Sequence, residues 1–262
     1  MWSVFNGTII NATAVALGSL AGVFVGARLA RRYQQVVLDA LGLVTIVMGV
    51  DAAVLGLANT VQKFAPLVEG GKSYGARLAM VMIGALLLGA IIGTALRLQG
   101  RVESLGRWIH RYLAGQNGHV FAEGFVTASV IFCVGPLTLV GCLEDGAHGN
   151  PSWLYIKALL DGFCALALAS TLGWGVLASL LTVVIFQGGL SLLAYWAAEP
   201  LDELSLAMMT VVGGVVLLAT GLTILEIKKL PLANLLPGIF LPPLIIGAAQ
   251  RLTPGLLLPA AW

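Results

Sequence analysis

Charge is what this chain has least of. Asp, Glu, Lys and Arg together make up 10% of its 262 residues, against roughly 25% in soluble domains. So few charges cannot cover the surface of a globule in water. With 59% hydrophobic residues and a mean hydropathy of +0.97, most of the surface must face lipid. Histidine is scarcer still. His110, His119 and His148 all fall in expected loops, which leaves no Ser–His pair for catalysis inside the membrane. Cys133, Cys142 and Cys164 sit in apolar runs without Cys-x-x-Cys spacing. They read as small buried hydrophobes. No basic cluster is dense enough for nucleic acid, and a net charge of +2 names no partner. Nothing in the sequence asks for a cofactor or a metal. The first residues carry no basic n-region and no small-residue cleavage site, so they read as a first span rather than a removed signal peptide.

What is there is a succession of apolar runs. They predict an all-α transmembrane helix bundle of about eight spans, at 4–27, 37–58, 77–96, 123–142, 153–174, 175–197, 204–227 and 232–250, forming a single integral membrane domain over 1–262. The count drops to seven if the fifth or the eighth segment is re-entrant. Trp153, Trp174 and Tyr195 are spaced 21 residues apart. That is roughly 32 Å of helix, close to the ~30 Å hydrocarbon thickness, and these residues favour interfaces. Gly173-Trp174-Gly175 is therefore a tight turn at one membrane face. Ala14, Gly18, Gly22 and Gly26 form one smooth face on the first span, and Ala85, Gly89 and Gly93 repeat it on the third. Such faces let helices approach closely, within the chain or across a homodimer. Pro237, Pro242 and Pro243 must kink or break the last span.

Between spans, residues 59–76 read as a polar loop. Its Gly70-Gly71-Lys72-Ser73 has Pro66 where a phosphate-binding loop needs its first glycine, and no strand precedes it. Arg97, Arg101, Arg107 and Arg111, with Trp108 and Tyr112, suit either a short helix in the headgroup region or a solvated loop. Nine of the fourteen basic residues fall on one side when loops are numbered alternately. The positive-inside rule then places both termini, and the acidic loop holding Glu144 and Asp145, outside the cytoplasm.

The chemistry concentrates between residues 123 and 174, two crossings joined by that acidic loop. Glu123-Gly124-Phe125 and Asp161-Gly162-Phe163 each have a further glycine eleven residues past the first, Gly135 and Gly173. The two copies lie on spans of opposite direction. A carboxylate inside an apolar span is expensive unless paired or used. Asp161 and Asp51 both lie inside spans, and Asn11, Thr127, Ser129, Ser170, Thr171 and Gln187 add polar groups at membrane depth. With the Gly135-Pro136 interruption, these are the candidate substrate- or ion-binding residues of a small-solute or ion transporter, because broken helices near mid-membrane are how many transporters build a site. Two plainer accounts stand beside this. Lys157, one turn before Asp161, neutralises it in an ordinary ion pair, and Asn6 and Asn11 serve as hydrogen-bond glue between helices. Other functions remain open: an intramembrane aspartyl-type enzyme using Asp51 and Asp161, or a structural or regulatory membrane protein that transports nothing. The Gly-x-Gly-Asp signature of the first is absent, Gly49-Val50-Asp51 being a fragment of it. Glu144 and His148 are too few for a metal site on their own.

The runs Gly7-Thr8-Ile9-Ile10-Asn11 with Gly18-Ser19-Leu20-Ala21-Gly22, Phe132-Cys133-Val134-Gly135-Pro136, Leu159-Leu160-Asp161-Gly162-Phe163 with Ala169-Ser170-Thr171-Leu172-Gly173, and Leu230-Pro231-Leu232-Ala233-Asn234 resemble the YqgA-like family. These are bacterial inner-membrane proteins grouped as a domain of unknown function, and the resemblance covers nearly the whole chain. It implies a polytopic protein of the bacterial inner membrane, in contact with lipid and suited to transport. Asp51 lies outside the matching runs.

Overall fold

The computed structural model describes residues 5–25, 31–68, 71–101, 104, 119–133, 136–198, 202–253 and 255–257. Arg28, Gly26, Gly135, Arg107, Trp108, Arg111 and Tyr112 lie outside the described residues. In chain order the helices are α1 (Asn6–Val25) and α2 (Arg31–Val50), which runs through a π-helical turn (Asp51–Leu55) into α3 (Gly56–Phe64). Then come α4 (Tyr74–Ala95), α5 (His119–Cys133), α6 (Pro136–His148), α7 (Ser152–Leu172), α8 (Trp174–Ala178), α9 (Leu180–Ala198), α10 (Glu203–Ile224), α11 (Leu232–Leu235) and α12 (Pro242–Leu252). No strand occurs among the described residues, and helices satisfy their backbone groups within one segment inside lipid. Among the described residues seven helical segments are long and apolar enough to cross a membrane, or eight if α5 and α6, bent by 50° at their break, count as one span.

Several boundaries differ from the sequence expectation, among them the start of the second span at Arg31 and of the third at Tyr74, and two of the differences change what is buried. The second span continues as helix to Phe64, so the first six residues of the expected 59–76 loop are helical. Thr60 is buried there with its hydroxyl bonded to the Gly56 carbonyl. The fourth span does not stop at Cys142: α6 runs on to His148 and buries Asp145 completely. His119 and His148, expected in loops, are the first residue of α5 and the last of α6.

The chain forms two compact units, residues 1–43 with 100–199, and residues 44–99 with 200–262. In the first unit α1 lies along α7. A methyl group added at Gly18 would come within 2.1 Å of the Gly162 carbonyl oxygen, and one at Gly22 within 2.4 Å of the Leu166 carbonyl oxygen. The small-residue stripe therefore works inside the protomer, letting the two backbones touch. Residue numbers rise together along the seam, so α1 and α7 run parallel. α7 stops at Gly173, whose φ of +65° and ψ of −145° suit only glycine, giving the expected turn before Trp174. The pair α8–α9 then returns alongside α5–α6. Gly175 faces Phe121, Ser129 bonds Thr182, the Cys142 thiol reaches the Gln187 carbonyl, and Gly146 faces Ser191. Val15, Phe132, Cys164, Val176 and Val183 fill the interior between these helices.

The second unit is built on α10. Asp202 caps it by accepting the Ser205 N–H at 2.8 Å. Phe64, Tyr74, Leu78, Leu204, Met208 and Ile246 form its core. The expected break in the last span is real: α11, a 3₁₀ segment (Leu236–Phe240) and α12 replace one continuous helix. Gly89 and Gly93 of α4 admit that segment, lying against Gly238 and Asn234. Leu17, Phe24, Val47, Leu87, Ile91, Leu181, Ile185 and Trp196 are exposed apolar side chains on spanning helices. They contact the lipid bilayer.

Candidate functional site

The seam between α1 and α7 fixes where polar side chains meet. Asn11 sits one turn before Ala14, which touches Gly162, so it arrives beside Asp161. Its side-chain amide donates to Asp161 Oδ2 at 3.0 Å and to Gln187 Oε1 of α9 at 2.8 Å. The Lys157 ammonium, one turn earlier on α7, donates to the same Asp161 Oδ2. All four side chains are buried. Asp161 lies nine residues past Ser152, or about 14 Å into a helix of 21 residues, close to mid-membrane.

An ion pair here cancels most of the field of two charges that would be prohibitive singly. The amides complete it unevenly, because Asn11 Oδ1 and Gln187 Nε2 have no hydrogen-bond partner. One spare acceptor and one spare donor thus remain beside a balanced pair, at a depth where water is scarce.

Of the residues expected from sequence, Asn11, Asp161 and Gln187 come together, and Lys157 joins them as the ion-pair partner. The others do not join. Ser129 on α5 bonds Thr182 at 3.1 Å, and Thr127 is half-buried on the same helix. Ser170 and Thr171, near the end of α7, donate to the Ala167 and Leu168 carbonyls of their own helix. Asp51 belongs to the second unit, exposed at the start of the π-helical turn. Glu144 and His148 pair with each other at 3.1 Å. The sequence reading missed Thr8, Ser19, Asp145 and Ser191, all buried in the first unit with side-chain oxygens that lack partners. A polar residue recurring on the same helical face as Asn11 or Gln187 was the available signal: Thr8 precedes Asn11 by three, and Ser191 follows Gln187 by four.

A helical membrane protein of many spans, with a charged pair and two side-chain amides buried about midway along a spanning helix, is the class these elements define. The chain belongs to the family described as "Protein of unknown function (DUF554)", whose model matches residues 6–247. It is similar to "Uncharacterized membrane protein YdfK" of Bacillus subtilis (strain 168), at 29% identity over 240 residues, covering 92% of this chain and 95% of that one. It is also similar to "Uncharacterized protein YqgA" of Escherichia coli (strain K12), at 32% identity over 243 residues, covering 90% and 93%. The resemblance to YqgA-like proteins holds along the chain. No solved structure matches it.

Proposed function

We propose that the protein is a transporter of a small solute or ion in the bacterial inner membrane, with its site at Asn11, Lys157, Asp161 and Gln187. The observation that carries this reading is the buried pair linked through Asn11 to Gln187, with an acceptor and a donor left over. A purely structural pair needs no unsatisfied amide atoms around it, whereas a polar solute or ion meets exactly such groups. The bend between α5 and α6 supports it, since broken spans are where many transporters bind. A second reading, that the pair only holds α7 in place, is favoured by the i,i+4 geometry of Lys157 and Asp161.

Flux in proteoliposomes under an imposed pH or cation gradient separates the two. Under the transport reading, Asp161→Asn abolishes gradient-dependent flux even in the fraction of protein that stays folded, its Tm being lowered because Lys157 loses its partner. The double variant Lys157→Gln/Asp161→Asn, neutral at both positions, folds and also fails to transport. Full flux in the double variant would assign the pair to structure and remove it from any mechanism.

A further inference from the structure

Asp145 is, with Asp161, one of two buried carboxylates among the described residues of the first unit, and the fold treats it differently. It lies on α6, three residues before the helix ends at His148. Neither carboxylate oxygen has a hydrogen-bond partner. The charged groups on its own helix and on those packed against it are few. Lys157 and Asp161 on α7 pair with each other, Glu144 and His148 on α6 pair with each other, and α1 and α9 carry no charge. The Gly7 N–H, in the first turn of α1, faces Asp145 without a hydrogen bond of normal geometry. A methyl group at Gly7 would come within 3.0 Å of Asp145 Oδ2. The positive end of α1 thus favours the ionised carboxylate but supplies only a fraction of a charge.

Beside the Leu154 side chain, which also packs on Gly7, the helices packed on α6 carry buried oxygens without a partner. Thr8 follows Gly7 on α1, and its hydroxyl is buried and unpartnered. Ser191 on α9 packs its carbonyl against Gly146, the next residue after Asp145, and its hydroxyl is likewise buried and unpartnered. Asn11 Oδ1, one turn along α1 from Thr8, is in the same condition. A proton on Asp145 would serve one of these atoms. A small hard cation takes several oxygen ligands at once and restores the missing charge.

We propose that Asp145, with the Thr8 and Ser191 hydroxyls, is a Na⁺-class monovalent cation site, lying between the 149–151 turn and the Asn11–Asp161–Gln187 cluster. The site is a binding function in its own right. A protein that carried no solute would still show it, so its failure and that of the transport reading are distinguishable.

The test is thermal unfolding of the purified full-length protein in detergent, titrated with NaCl against choline chloride at constant ionic strength and pH. The wild-type Tm should rise with Na⁺ and saturate, because a ligand bound only by the folded state stabilises it in proportion to occupancy. Asp145→Asn should lose the response, while Asp51→Asn, which changes an exposed carboxylate of the second unit, keeps it. Should Asp145→Asn not fold, Ser191→Ala and Thr8→Val serve instead, each raising the half-saturating Na⁺ concentration by about tenfold, the size of effect that loss of a supporting group has on metal sites. Equal Tm in Na⁺ and choline would overturn the site. So would a full Na⁺ response in Asp145→Asn, or a Tm that follows pH alone, which would reduce Asp145 to a protonated cap on α1.

Discussion

Lys157 and Asp161 share one face of α7 and one buried environment, so neither can be changed without exposing the other to it. Removing the lysine leaves a carboxylate that only Asn11 supports. Breaking a buried pair in this way typically costs about 3–5 kcal/mol, whereas replacing both partners by apolar residues is often neutral or better. Lys157→Met is therefore expected to lower Tm strongly, and Lys157→Met/Asp161→Leu to recover most of the loss. A double variant as unstable as the single one would show that Asn11 and Gln187 depend on the charges. Chemistry also explains which candidates the sequence could nominate. Hydroxyls such as Ser170 and Thr171 satisfy themselves on carbonyls of the preceding turn, so their polarity in an apolar run marks no site. Carboxylate, ammonium and side-chain amide groups have no such local outlet, and Asn11, Asp161 and Gln187 found one another across three helices.

Among the elements, the α1–α7 seam does the positioning. It was legible in part: spacing by four marks a close-approach face on α1, but periodicity cannot say which helix will occupy it. That choice rests on Gly162, which reads in sequence as half of a weak repeat and in the fold as the point where α1 touches α7. The Asp145 environment was less legible, because Glu144-Asp145-Gly146 has the composition of a loop and is held in a helix by close packing of Gly146 on α9. Gly18→Leu should drive the seam apart, since the opposing atom is a backbone carbonyl that cannot swing away. The expected loss exceeds the roughly 1–3 kcal/mol of ordinary overpacking, and cluster function should fall with it. Gly189→Ala on α9, which meets nothing within 4 Å, should leave Tm unchanged. Equal stability of the two variants would mean that α1 does not need its close contact with α7.

At the scale of the whole chain, the direction of α5–α6 decides how many times the membrane is crossed. Phe121, Ser129, Cys142 and Gly146 meet Gly175, Thr182, Gln187 and Ser191 in order. The bent pair therefore accompanies α8–α9 from one end to the other in one direction, which a re-entrant loop could not do. Counted as one span, it makes eight with the seven continuous segments, and an even number returns both termini to the same side. Which side follows from the nine basic residues grouped against five: we infer that Arg32, Arg101 and Lys229 face the cytoplasm and the 149–151 turn faces out. Fusions of a reporter active only outside the cytoplasm test direction and orientation separately. Placed after Gly149 the reporter should be active, and placed after Gly100 or Lys229 it should be silent. The same state at Gly100 and Gly149 would mean that α5–α6 enters and leaves by one face. Opposite states in the reverse sense would keep the eight crossings and invert the protein in the membrane.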